Sequence, residues 1–149
     1  IEQVIWLGNG IAGDDTHGHV DDLTRFVSRD RVVTAIESKR SDENYEPLQD
    51  NLKRLQAFRF ADGRRLDIVE LPMPGKIMFE SVRIPASYAN FLIINGAVLV
   101  PTFNDPEDRV ALQIIADCFP DRTVIGMSAI DLIWGFGTYH CLSQQIPWH

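Results

Sequence analysis

One order of elements occurs twice in this chain. From Leu23 it reads as a strand (LTRFVS), a tight turn at Arg29-Asp30, a strand (RVVTAIE), a polar stretch, a helix (NYEPLQDNLKRLQAF) and a third strand (LDIVELP). The second half repeats that order as YANFLIIN, the Asn95-Gly96 turn, AVLVPTF, the helix DPEDRVALQIIADCF and the strand RTVIGMS. Leu48, Leu52, Leu55 and Phe58 fall at helical spacing, and Pro72 and Pro74 end the first unit. Asn-Gly between two apolar runs is a strong hairpin signal, and Asp105-Pro106 marks a helix start. Each unit is therefore read as ββαβ, module one over residues 23–74 and module two over 88–130, with the turns about 66 residues apart. Residues 131–149 read as a closing segment, in which GFGTYHCLSQQIP begins like the opening strand of a third repeat.

Such mixed sheets carry helices on one side and need neighbours to cover their apolar surface. The repeat starts abruptly, and Ile1 precedes an apolar run from Val4 to Leu7, so further modules are expected upstream. The polar stretch GDDTHGHVDD lies just before the first strand of module one, PASYAN takes that place in module two, and GTYHC takes it in the closing segment. Polar residues at equivalent ends of three repeats can converge on one site.

Composition narrows the classes. With 149 residues, 45% of them hydrophobic, the chain can build an ordinary core. Twenty-one acidic against 14 basic residues give a net charge of -7, with no basic run to follow a phosphate backbone, which argues against nucleic acid and for a cationic partner. No window approaches the ~18 apolar residues of a membrane span. Cys118 and Cys141 are too few for a disulfide framework and are read as free thiols of a reducing, cytoplasmic compartment.

Two chemistries compete for GDDTHGHVDD. If it is extended, His17, His19 and Asp21 share one face and could ligate a metal. THGHVDD resembles the HxHxDH pattern of metallo-β-lactamase-like hydrolases, but Asp22 stands where a histidine is needed, and only His140 and His149 remain downstream. The other reading is a set of carboxylate acceptors with a histidine for proton transfer, suited to a cation. Cys141 is the nucleophile candidate, with Gly135 and Gly137 allowing close backbone approach. On a strand His140 would point away from Cys141, which leaves His19 as the useful histidine.

GDDTHGHVDDLTRFV, PASYANF, NGAVLVPTFNDP and HCLSQQIP together resemble the C-terminal part of the agmatine deiminase and Porphyromonas-type peptidylarginine deiminase family, over essentially the whole chain. The resemblance implies a pentein α/β propeller of five ββαβ modules. It implies a hydrolase that converts agmatine to N-carbamoylputrescine, or arginine or peptidyl-arginine to citrulline, with release of ammonia. It makes Cys141 the nucleophile, His19 the acid/base, Asp21 a guanidinium carboxylate, and Asn90 and Asp15 further substrate-binding residues. No cofactor or metal is implied, and a homo-oligomer is left open. Asp22 stands where agmatine deiminases carry asparagine. The competing readings are a metal-dependent hydrolase using His17, His19 and Asp21, and a non-catalytic guanidine-binding module.

Overall fold

A computed structural model describes residues 3–16 and 18–146. His17 and His149, both weighed above as metal ligands, lie outside the described residues.

Two stretches of the chain have the element order ββαβ. In the first, β1 (Thr24–Phe26) pairs antiparallel with β2 (Arg31–Ile36), α1 (Tyr45–Ala57) crosses over, and β3 (Asp67–Pro72) returns parallel to β2. Four residues, 27–30, join β1 to β2, a longer connection than the two-residue turn expected at Arg29-Asp30. Between the units lies an antiparallel hairpin, β4 (Ile77–Phe79) and β5 (Val82–Ile84). The second unit repeats the first with β6 (Leu92–Ile94), β7 (Ala97–Thr102), α2 (Glu107–Cys118) and β8 (Thr123–Ser128), again antiparallel then parallel.

Local chemistry explains the elements. The central strands β2 and β7 are runs of branched apolar residues, as expected where a sheet is covered on both faces. Leu48, Leu52 and Leu55 turn one stripe of α1 into the core, and Phe58 ends the helix as its C-cap. Asp105 Oδ1 accepts the Glu107 N–H while Asp108 Oδ2 accepts the Asp105 N–H, a reciprocal arrangement that satisfies donors at the start of α2. Gly96 has φ +79°, which the Asn-Gly turn supplies without a steric cost.

The hairpin β4–β5 had no turn signal in the sequence, because its loop carries Glu80 at φ 51° where Gly or Asn is usual. Arg83 fixes it to the first unit: this guanidinium, 8% exposed, donates to Asp42 Oδ1 at 2.7 Å and Glu43 Oε1 at 2.9 Å. Residues 84–91 then run through the largest core cluster, where Ile84, Tyr88, Ala89 and Phe91 pack with Val33 and Leu71 of the first unit and Val98 and Val100 of the second. One continuous core therefore holds segment 87–91 rigidly against both sheets.

The closing segment differs from expectation. Leu132–Gly135 is a 3₁₀ turn, and hydrogen-bonded turns continue to Leu142, so the strand predicted at GFGTYHC does not form among the described residues. Phe136, at φ 63°, takes the left-handed position rather than either neighbouring glycine.

Candidate active site

Three irregular segments meet: 13–16 with 18–22 before β1, 87–91 before β6, and 138–142. The described residues of 13–22 form no strand. Gly13 has φ +92° and lies against the Arg83 carbonyl, where a Cβ would collide with backbone. A 3₁₀ turn, Val20–Asp22, leads into β1, so the alternation that would have put His19 and Asp21 on one strand face and Asp22 on the other does not apply.

Asp14 organises the first segment. It is 2% exposed; its Oδ2 accepts the Gly18 and His19 N–H groups at 2.8 Å each, and its Oδ1 accepts from Thr16 and lies 3.0 Å from His19 Nδ1. Burial pushes its carboxyl up, but the backbone donors of His19, Thr16 and Gly18 and the His19 imidazole outweigh that and hold it below the usual range. An ionised carboxylate can only accept, so His19 Nδ1 carries a proton and Nε2 is left to work toward solvent, with 46% of the side chain exposed.

Asn90, 1% exposed, is the hub of the other two segments. Its Oδ1 accepts the Thr138 N–H at 3.0 Å, the Thr138 hydroxyl at 2.9 Å and the Cys141 N–H at 3.3 Å. Its Nδ2 lies 3.1 Å from Asp21 Oδ2, 2.9 Å from Asp22 Oδ1 and 3.0 Å from Cys141 Sγ. Two N–H groups thus face three acceptors, so this cluster has room for another donor. Asp21 Oδ2 also takes His140 Nδ1 at 2.7 Å and the Cys141 thiol at 3.3 Å, whereas Asp21 Oδ1 receives nothing from the described residues.

The titrations separate the two adjacent aspartates. Burial raises Asp21, but the donors His140 and Cys141 bring it below its ordinary value, so it is an anion at neutral pH. Asp22, 1% exposed, is pushed up to about 8 by burial and then by the charges of Asp21 and Asp14. It is a neutral acid there, with Oδ2 buried and unpartnered among the described residues. Cys141 is exposed as a residue, but its sulfur sits against Asn90 and Asp21; burial and the neighbouring carboxylate push the thiol up to about 11. Gly137 is required here, since a Cβ would stand 2.5 Å from Cys141 Cβ and 2.8 Å from Sγ.

The structure thus brings together Cys141, Asp21 and Asn90, and sets His19 on the same short segment as Asp21, tied to Asp14. Asp15 is exposed beside Asp14 and His19. His140 had been set aside on the premise of a strand; in a turn it reaches Asp21. Asp14, Thr138 and Arg25 were not singled out from the sequence. A short Asp accepting from the N–H two residues on is a turn signal that Asp14 does carry, but GDD offers two candidates and only burial separates them. Thr138 carries no signal in the sequence.

A family profile described as Porphyromonas-type peptidyl-arginine deiminase matches residues 1–147. The chain belongs to that family. It is 34% identical over 165 residues to an agmatine deiminase of Pseudomonas aeruginosa, a match that covers 99% of this chain and 45% of the relative. A substrate-bound agmatine deiminase structure from C. jejuni superposes with a TM-score of 0.85 at 35% identity, covering 94% of this chain and 40% of that one. A Porphyromonas gingivalis structure, provisionally named as an arginine deiminase, gives a TM-score of 0.90 at 44% identity over 93% of this chain and 41% of that one. The chain therefore spans less than half the length of the curated relatives it matches. No helix among the described residues is long and apolar enough to cross a membrane.

Proposed function

We propose that this chain is the C-terminal part of a guanidine deiminase: two modules, 23–74 and 88–130, and the closing segment 131–149 of a five-module pentein propeller. The ββαβ repeat, the family membership and the structural likeness over about two-fifths of longer deiminases support that reading. The reaction is the hydrolytic replacement of a guanidinium NH₂ by oxygen, giving a ureido product and ammonia, on agmatine, arginine or peptidyl-arginine.

The observation that carries it is the convergence on Asp21 Oδ2 of Asn90 Nδ2, His140 Nδ1 and the Cys141 thiol, with Asp21 Oδ1 left to accept from a ligand. A guanidinium is planar, permanently charged and rich in donors, so an anchored carboxylate both binds and orients it. With the cation seated, its charge opposes the burial that holds the thiol up. Cys141 Sγ passes its proton to His19 Nε2 and bonds to the guanidinium carbon, whose C=N electron pair shifts onto nitrogen; His19, positioned by Asp14, returns that proton to one NH₂ group, and the C–N bond breaks to release ammonia. His19 then takes a proton from water as its oxygen bonds to the same carbon; collapse to the ureido carbonyl breaks the C–S bond, and the departing sulfur takes back a proton to restore the thiol.

The donor sets of the described residues disfavour the metal-dependent alternative. Two groups, Asp14 with Asp15 and His19 and Asp21 with Asp22 and Cys141, each bring potential ligand atoms within 4.8 Å, yet both Asp14 oxygens are spent on local donors and on His19 itself, Asp21 Oδ2 is taken up by Asn90, His140 and Cys141, and Asp22 is a neutral acid. Ammonia release by the full-length protein from agmatine, free arginine and an N-blocked arginyl peptide, each with and without EDTA, tests the proposal. Turnover of one of them undiminished by EDTA is expected. Turnover lost to EDTA and restored by zinc would return the metal hydrolase, and no turnover of any would overturn the deiminase reading.

A further inference from the structure

Arg25 lies on β1 and plays no part in the chemistry above. Its Nη1 donates to the carbonyls of Ala89 at 3.0 Å and Phe91 at 2.8 Å, the two residues flanking Asn90. Its guanidinium carbon stands 4.7 Å from the centre of the Phe91 ring. Ala89 and Phe91 are fully buried, and segment 87–91 belongs to no strand, so the arginine supplies partners that a sheet ladder would otherwise give. The contacts span 64 and 66 residues, from the first repeat to the second.

We infer that Arg25 is a positioning residue of the deiminase site, acting through Asn90: it clamps the peptide on either side of Asn90 so that the amide faces Asp21, Asp22 and Cys141. The inference rests on the proposed role of Cys141. Asn90 Nδ2 must meet three acceptors while its Oδ1 holds Thr138 and the Cys141 N–H, so a small rotation of the Asn90 peptide changes every bond at the sulfur. Lysine can replace the donors and the charge but not the flat stacking on Phe91, so Arg25→Lys should rescue in part. Being held by two carbonyls, the arginine is kept from filling the carboxylate site reserved for a substrate guanidinium.

The test is a coupling measurement on the thiol, independent of turnover. Iodoacetamide labelling of the Cys141 peptide is followed against pH by mass spectrometry, with the Cys118 peptide as internal reference, in wild type, Arg25→Met, Arg25→Lys, Asn90→Ala and the Arg25→Met/Asn90→Ala double variant. Arg25→Met should slow labelling of Cys141 near neutral pH by roughly tenfold, the worth of one lost hydrogen bond to a charged group, and leave Cys118 unchanged. The double variant should be no slower than Asn90→Ala alone, and Arg25→Lys should lie between Arg25→Met and wild type. Tyr88→Phe breaks the 2.7 Å bond to Asp108 in the same segment without touching Asn90, and should label as wild type does. If the single effects multiply in the double variant, or if Tyr88→Phe slows labelling as much as Arg25→Met, Arg25 does not act through Asn90. Absence of turnover of all three guanidines by the full-length protein would reject the deiminase reading while leaving this coupling readable.

Discussion

Asp22→Asn isolates the neutral acid beside the nucleophile. In the folded protein Asp22 is pushed up to about 8, whereas in the unfolded chain it returns to 3.8. The sign follows from proton counting. Between these values the folded state holds a proton that the unfolded state has lost, so raising the pH favours unfolding. The native protein loses about 1.4 kcal/mol per pH unit over that window, or about 4 kcal/mol by pH 7, and nothing further above pH 8. Asparagine keeps the Oδ1 acceptor that Asn90 Nδ2 uses at 2.9 Å, but puts an NH₂ where the buried Oδ2 has no partner, at a cost of ~1–3 kcal/mol that is constant with pH. Asp22→Asn should therefore be the less stable protein near pH 4, cross wild type as pH rises, and be more stable at pH 8. Urea midpoints of both proteins at intervals of about one pH unit from 4 to 9 read this directly. Two curves that stay parallel would mean that Asp22 is ionised in the folded state, and the reasoning would be wrong. Activity near pH 7 should survive within about tenfold, since the acceptor to Asn90 is retained.

Asp21→Asn should cost at least roughly a hundredfold in kcat/KM, because it replaces an anion that orients three donors, and removing one partner of such a set costs ~2–5 kcal/mol; a loss no larger than that of Asp22→Asn would remove Asp21 from the guanidinium-binding role. Gly137→Ala places a methyl group against Cys141, so kcat should fall by more than about tenfold while the melting temperature moves only as far as ~1–3 kcal/mol of overpacking dictates. Wild-type kcat in that variant would show that the 137–141 turn is free to move.

The repeat was legible because helix and strand periodicities differ and each unit was bounded by Asp, Gly or Pro signals. Both helices and the parallel strand pairs follow from it. The β4–β5 hairpin was not, since Glu80 in a left-handed position has no sequence mark. The site was legible in residue types at equivalent ends of the repeats, but its geometry was not. Reading 13–22 and 135–141 as strands placed Asp22 and His140 on the wrong side, whereas a 3₁₀ turn and a tight turn aim both inward. Asp22→Asn is expected to be mild for activity because a neutral acid and an amide present the same acceptor to Asn90. Arg25 and Asp14 work through long-range or buried hydrogen bonds, which only the packed chain displays.

Covalent deimination requires a bond between Cys141 Sγ and the guanidinium carbon. Acid quenching during turnover, followed by mass spectrometry of the Cys141 peptide, tests it most directly. An adduct on Cys141 equal to the substrate less ammonia, absent from the Cys118 peptide, is expected, together with loss of turnover in Cys141→Ser. Undiminished ammonia release by Cys141→Ser, with no adduct on Cys141 in wild type, would contradict it.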